Sequence, residues 1–340
     1  MKTLGQTTAG QVKAYCAKIG ADPLLSQGAG GNVSWKDGEL LWVKASGTWL
    51  AHAENEEIFI AVDLAHLRIE IADENFSATP KVVGDSSLRP SIETMLHALM
   101  PHKVVVHLHA VEILAHLVRI NSLADLHQLI PDDVDWVFVD YFKPGEELAK
   151  SVSTHIAGHP GADVIFLKNH GVVVGAESIL EIEGIINSLT QTFSLDTGEH
   201  FHKQVCSPTP KQVNGYVYFQ HGDLHQLATN KEYFDYLRTK WALYPDHIVF
   251  LGHSPHVYES FDEFACTREK LTELPELVFI YKEGVYVLPN FSKAKTAQLI
   301  CYYNVLIRQK SMSQLNSLSD AQVSELIHWE AEKYRKINSN

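Results

Sequence analysis

The amino-acid sequence predicts a layered α/β domain on a largely antiparallel or mixed sheet, followed by a smaller α/β region. Three observations carry this expectation. Short β-branched or aromatic runs alternate with tight polar turns, as hairpins require. Helical periodicities stand apart instead of recurring in repeated βαβ units. The chain has 340 residues, 45% hydrophobic and 20% charged, enough for a sizeable core and for two domains.

Taken in order, Val12, Tyr15, Cys16 and Ile19 recur at helical spacing across residues 8–19, and Gly20 supplies a stop. A glycine-rich loop, Gly28-Ala29-Gly30-Gly31-Asn32, then leads into a hairpin: a strand at 33–35, the turn Lys36-Asp37-Gly38 and a strand at 40–43. Residues 57–64 and 67–71 read as further short strands, and 85–90 as a polar loop. Ser91 can cap a helix carrying Ile92, Met95, Leu96 and Leu99, with Glu93 in its first turn. A strand follows from Val104, then a helix at 111–118, a strand at 134–139, a helix at 147–156, a strand pair around His170 and a helix at 179–193. These elements form a first domain, 1–210. The pattern changes near Lys211, and 211–340 reads as a smaller domain or extension. It holds a helix at 231–241, a strand at 248–251, a hairpin at 278–288 turning on Lys282-Glu283-Gly284, and helices at 293–308 and 320–337. No internal repeat stands out.

The most informative motif is the run Val-Val-Val-His-Leu-His-Ala at residues 104–110. Alternate strand residues share a face, so His107 and His109 project the same way. Two aimed imidazoles point to a metal, and a zinc site needs at least a third protein ligand. His170 is the candidate. It interrupts two apolar runs, and Gly171 directly after it lets backbone and ligand crowd together. The plain alternative is a pair of satisfied strand histidines. His97, His102 and His116 compete nearby, but His102 falls in a turn and His116 in a helix, so both read as structural or surface residues.

Composition excludes several classes. A net charge of −13 without a local Lys/Arg cluster argues against nucleic acid as a partner. Cys16, Cys206, Cys266 and Cys301 are scattered without Cys-x-x-Cys spacing, which disfavours both a disulfide framework and a thiolate zinc site and leaves buried, inert thiols as the expectation. No signal-peptide order and no membrane-length apolar run are present, so the expected location is cytoplasmic, with no membrane partner.

The glycine-rich loop is neither a dinucleotide fingerprint nor a Walker loop, since Val33 takes the last glycine position and no Gly-Lys-Ser/Thr follows. Its amides could form an anion nest with Ser46-Gly47 and Ser91, although a tight turn before a hairpin explains the loop equally well. Glu93 is a general-base candidate if folding brings it beside the metal; otherwise it only favours the helix dipole. Tyr141, before Pro144-Gly145, is a packed loop aromatic or a proton donor.

Six motifs then fall in one order: Gly-Gly-Asn-Val-Ser at 30–34, Lys-Ala-Ser-Gly at 44–47, Arg-Pro-Ser-x-Glu at 89–93, His-x-His at 107–109, Tyr-x-x-Pro-Gly at 141–145 and Asn-His-Gly at 169–171. This series resembles the class II aldolase/adducin family over about residues 8–200. The stretch 244–251 and the last helix are similar to the aldolase part of longer bifunctional rhamnulose-phosphate aldolase/dehydrogenase proteins. The resemblance implies a three-layer α/β/α domain with a mostly antiparallel central sheet, assembled as a tetramer with sites at subunit interfaces. By position, it implies that His107, His109 and His170 hold Zn2+ or another divalent metal, that Glu93 is the acid/base, and that Tyr141 reaches a neighbouring subunit's site. Asn32, Gly47 and Ser91 would line a phosphate pocket supported by Gly31 and Ser46. Ile92 stands where phosphoketose-binding relatives often carry a second serine, which removes a hydroxyl donor.

The implied activity is that of an aldehyde-lyase cleaving a sugar phosphate or related hydroxylated carbonyl compound through a metal-stabilised enediolate. An epimerase or dehydratase would use the same chemistry. An adducin-like interaction module would keep the fold without catalysis, but it would not need the intact histidines and Glu93.

Overall fold

The computed structural model describes residues 7–194, 208–211, 213, 215–327 and 329–338. The first part of the chain runs α1 (Thr8–Gly20), β1 (Asn32–Asp37), β2 (Leu40–Lys44), β3 (Phe59–Asp63), α2 (Leu64–Ala72), α3 (Thr94–Leu99), β4 (Val104–Leu108), α4 (Val111–Leu117), α5 (Ser122–Leu129), β5 (Trp136–Val139), α6 (Glu146–Gly158), β6 (Val164–Leu167), β7 (Gly171–Ala176) and α7 (Ile179–Phe193). Its seven strands form one sheet in the order β3-β2-β1-β4-β7-β6-β5, antiparallel throughout except for the β5–β6 pair.

Alternation along the strands builds three layers. Val104, Val106 and Leu108 of β4 pack with α1, α4, α5 and α7 on one face. Val105 faces the opposite way, into the layer containing α3 and α6, while α2 and more of α3 cover β2 and β3 on that same side. Both faces of β4 are therefore apolar and buried, as its run of valines predicts for a central strand. His107 shares the face of Val105 and points toward α3.

The remainder runs β8 (Val217–Tyr218), α8 (Gln226–Thr229), α9 (Lys231–Thr239), α10 (Pro245–Leu251), β9 (Val257–Tyr258), α11 (Phe261–Arg268), β10 (Leu277–Ile280), β11 (Gly284–Val287), α12 (Lys293–Ile307), α13 (Asp320–Ile327) and α14 (Glu330–Asn338). It has its own four-stranded sheet, β8-β11-β10-β9. Its main core is continuous with α4 through Val111, Leu114 and Val118, so the two parts share a packed boundary. No helix among the described residues is long and apolar enough to cross a membrane.

Several local readings require correction. Residues 67–71 belong to α2, whose start is capped by Asp63 accepting from the His66 amide at 2.9 Å; the apolar positions 67, 69 and 71 imitate strand alternation, but Ile69 is exposed. Residues 248–251 are helical, with Pro245 in the first turn of α10 and Asp246 beside it. Glu93, not Ser91, is the N-cap of α3, and the hairpin turn falls at residues 38–39, one step later than expected. The final helix is divided into α13 and α14. Cys16 and Cys301 are buried, whereas Cys266 is exposed; Cys206 lies outside the described residues.

Candidate metal centre

β4 lies between β1 and β7, with His107 opposite Asn32 on one side and Val173 on the other. His109 continues the same alternation just beyond the strand. His170 sits in the turn between β6 and β7, next to Asn169 at φ 52°. Asparagine tolerates this left-handed conformation better than most side chains. Its buried amide also donates to the carbonyls of Leu243 (2.8 Å) and Asn316 (2.7 Å), tying the turn to the C-terminal region. Gly171 follows because no Cβ fits: one would stand 2.4 Å from the Leu108 carbonyl oxygen and 3.1 Å from both His107 Cε1 and His109 Cδ2.

These elements bring three imidazoles together, with one nitrogen from each lying within 4.8 Å of the others. Nδ1 of His107 lies 3.0 Å from the Val172 carbonyl oxygen. A carbonyl only accepts, so Nδ1 carries the proton and the Nε2 lone pair points into the site. Nε2 of His107 and Nε2 of His109 are 3.2 Å apart. Two nitrogens bound tetrahedrally to one zinc ion would be separated by roughly 3.3 Å, from bonds of about 2.0–2.1 Å.

Electrostatics favour the forms a cation needs. Burial pushes His170 down to about 3 and also lowers His107, in both cases against the opposing pull of Glu93, so both are neutral at pH 7. For Glu93, burial acts upward, but His107, His170 and His109 outweigh it and leave the carboxyl at about 2. Its Oε2 accepts from Asn32 Nδ2 at 2.8 Å. Its Oε1 has no hydrogen-bond partner and lies 3.5 Å from His107 Nε2 and 3.4 Å from His170 Nε2. Neutral nitrogens converging beside an ionised, partly unsatisfied carboxylate make a donor set suited to a divalent cation.

A narrow cleft opens beside this centre. Gly31, Asn32, Ser46, Gly47, Ser91, Glu93, His109 and His170 all line it, as does Ile92. The Asn32 amide is engaged by Ser91 Oγ (2.9 Å) as well as by Glu93, so it braces the carboxylate. Tyr141 is not among the lining residues, although Pro144 from its loop is; the Tyr141 hydroxyl is buried without a hydrogen-bond partner and its ring packs against the C-terminal core. His97 is buried with Nδ1 2.8 Å from Ser34 Oγ, and His116 packs against Phe193 beside Arg119, both outside the trio.

Three ionisable lining residues had no role in the sequence reading: Lys44, Asp246 and Arg335. Lys44 donates to the carbonyls of Ala29 (3.2 Å) and Thr48 (2.7 Å), and burial together with nearby Arg335 brings its amine down to about 7. A lysine closing an apolar strand was the available signal. Asp246 and Arg335 form a two-bond ion pair at 2.6 and 2.8 Å. Burial raises the Asp246 carboxyl, but Arg335 and His109 more than offset this and hold it well below the usual carboxylate range.

Comparison with known proteins finds the class II aldolase and adducin N-terminal domain matched over residues 11–193, more than half of the chain. An uncharacterized oxidoreductase of Bacillus subtilis, YuxG, is 27% identical over 282 residues, covering 70% of this chain and 40% of that protein. The chain thus spans well under half the length of that relative. An L-fuculose phosphate aldolase of Methanococcus maripaludis is 30% identical over 165 residues, 45% of this chain and 77% of the relative. Among solved structures, the N-terminal class II aldolase domain of a conserved Thermoplasma acidophilum protein aligns with a TM-score of 0.48 and 25% identity, over 57% of this chain and 95% of that one.

Proposed function

Because the chain belongs to the class II aldolase and adducin family, we propose that it is a metal-dependent carbon–carbon lyase acting on a sugar phosphate or a related hydroxylated carbonyl compound. The observation that supports this most is the convergence of three histidine nitrogens beside the unpaired Oε1 of Glu93, at the wall of a cleft. Fuculose-phosphate aldolase among the relatives makes a phosphorylated ketose the first substrate class to examine.

In this reading His107, His109 and His170 hold a divalent cation, with Zn2+ as the leading candidate. When bound, such an ion supplies Lewis-acid stabilisation of negative charge on substrate oxygens. Glu93 moves the proton at the enediolate carbon through Oε1 while Asn32 holds Oε2 in place. Gly31, Asn32, Ser46, Gly47 and Ser91 orient the substrate's far end, with Lys44 and Arg335 alongside and Ile92 narrowing the space. Tyr141 is assigned to the aldehyde oxygen in a neighbouring subunit's site of a tetramer, which requires its hydroxyl to leave its packed position. Residues 1–210 are the catalytic domain, residues 211–340 are an extension that walls the cleft, and the cytoplasm is the expected compartment.

The test combines metal analysis with product identification on phosphorylated and unphosphorylated ketoses. Wild type should hold close to one metal per chain and release two shorter carbonyl compounds. Glu93→Gln should keep the metal and lose cleavage, while His109→Ala should lose both. A wild-type protein that binds no divalent metal, or unchanged cleavage by His109→Ala, would overturn the reading; isomeric products instead of fragments would move the activity to epimerisation.

A further inference from the structure

His107 and His109 have different means of fixing their rings. His107 is held by the Val172 carbonyl of an adjacent strand. Beyond the end of β4, Nδ1 of His109 instead faces Oδ2 of Asp246 at 3.3 Å, within ion-pair range but outside hydrogen-bond angles, on the side of the ring opposite the nitrogen that faces His107. Asp246 is itself fully engaged from the C-terminal region: Arg335 donates to both oxygens, and Gln298 Nε2 donates to Oδ2 at 3.3 Å. A second feature of the chain makes room for this contact. A Cβ on Gly30 would stand 2.9 Å from both Asp246 Oδ2 and the Gln27 carbonyl oxygen and 3.1 Å from His109 Nδ1, wedged against both partners and the preceding loop.

Building on the proposed metal centre, we infer that Asp246 is a positioning residue for that centre: it keeps the His109 proton on Nδ1 and the Nε2 lone pair aimed at the ion, with Arg335 and Gln298 fixing Asp246 in turn. A carboxylate can only accept in this contact, so it selects one tautomer of the facing imidazole. A carboxylate behind a metal-bound histidine also raises the basicity of the ligating nitrogen, and losing such a partner weakens metal binding about 10–100-fold. The region after residue 211 thereby contributes to the metal centre without supplying a ligand. Arg335, 89 residues beyond Asp246, connects α14 to it.

The test is a Zn2+ chelator-competition titration of the full chain, with tautomers read from long-range 1H–15N histidine spectra of the metal-free protein. His109 signals are assigned by comparison with His109→Gln. In wild type His109 should be the Nδ1–H tautomer. Asp246→Asn can turn its amide NH2 toward the ring, which favours the opposite tautomer, and should bind Zn2+ about 10–100-fold more weakly; Asp246→Glu should recover part of the loss. Gly30→Ala keeps every charge and should weaken binding in the same direction, so it decides the matter if Asp246→Asn does not fold. Wild-type affinity and tautomer in both Asp246→Asn and Gly30→Ala would overturn the assignment. Absence of Zn2+ binding in the wild type would instead overturn the metal centre itself, which separates the two failures.

Discussion

Gly171→Ala puts the geometry of the ligand cluster to a steric test. The added Cβ would lie 2.4 Å from the Leu108 carbonyl oxygen. An ordinary carbon–oxygen contact is about 3.4 Å, so something must retreat by about 1 Å. Neither strand can do so alone, because β4 is paired to β1 and β7, and β7 to β4 and β6, with Leu108 opposite Val172 and Leu167 opposite Gly171. Overpacking of this kind costs about 1–3 kcal/mol. The same Cβ presses at 3.1 Å on the rings of both His107 and His109, whereas a metal site tolerates displacements of only about 0.2 Å. Metal affinity should therefore fall by at least about 100-fold, alongside the loss of stability. Urea unfolding of the metal-free protein reads the first effect and chelator competition the second. Affinity within twofold of wild type, with stability changed by less than about 0.5 kcal/mol, would refute the crowding argument.

Gly184→Ala is the opposite case: nothing lies within 4 Å of its Cβ position in α7, so the protein should gain about 0.5–1 kcal/mol, read as a raised melting temperature. Asn169→Ala removes two donors from buried carbonyls and leaves a non-glycine residue in the left-handed region; unfolding should become easier by about 2–4 kcal/mol, and a urea midpoint equal to wild type would contradict this. His97 and His247 are both pushed down to about 3 in the folded chain, chiefly by burial, against about 6.5 when unfolded. The unfolded chain therefore binds more protons as pH falls, so this contribution to stability is fully present above pH 6.5 and is lost progressively toward the folded values. Between about pH 6 and pH 4 the two groups together should remove roughly 2.5 kcal/mol per pH unit, and urea titrations of the metal-free protein showing a flat profile there would exclude buried neutral histidines.

Local chemistry made much of the fold legible. The β-branched run at 104–108 announced a buried central strand, and helical apolar spacing over 179–193 announced α7, whose N-cap Ser178 accepts from the Glu181 amide at 3.3 Å. Errors arose where an apolar pattern fitted two periods. In α10 the residues Ile248, Val249 and Phe250 are all buried, so no polar face marked a helix, and the Pro245-Asp246 start signal was the better guide. The ligand trio was legible because two of its members share a strand face and the third precedes a glycine. Asp246 and Arg335 were not, since only tertiary packing brings helices from the end of the chain against residues 30 and 109.

The amide of Asn169 has a consequence for how the molecule opens. With its hydrogens given to Leu243 and Asn316, and Asn316 Nδ2 returning a bond to Asn169 Oδ1 at 3.1 Å, the turn carrying His170 cannot swing out while the C-terminal region stays docked. Native-state hydrogen exchange should register residues 168–172 and 315–318 as one cooperative unit, with matching opening free energies. Loading of the centre would then slow exchange at positions far along the chain from any histidine.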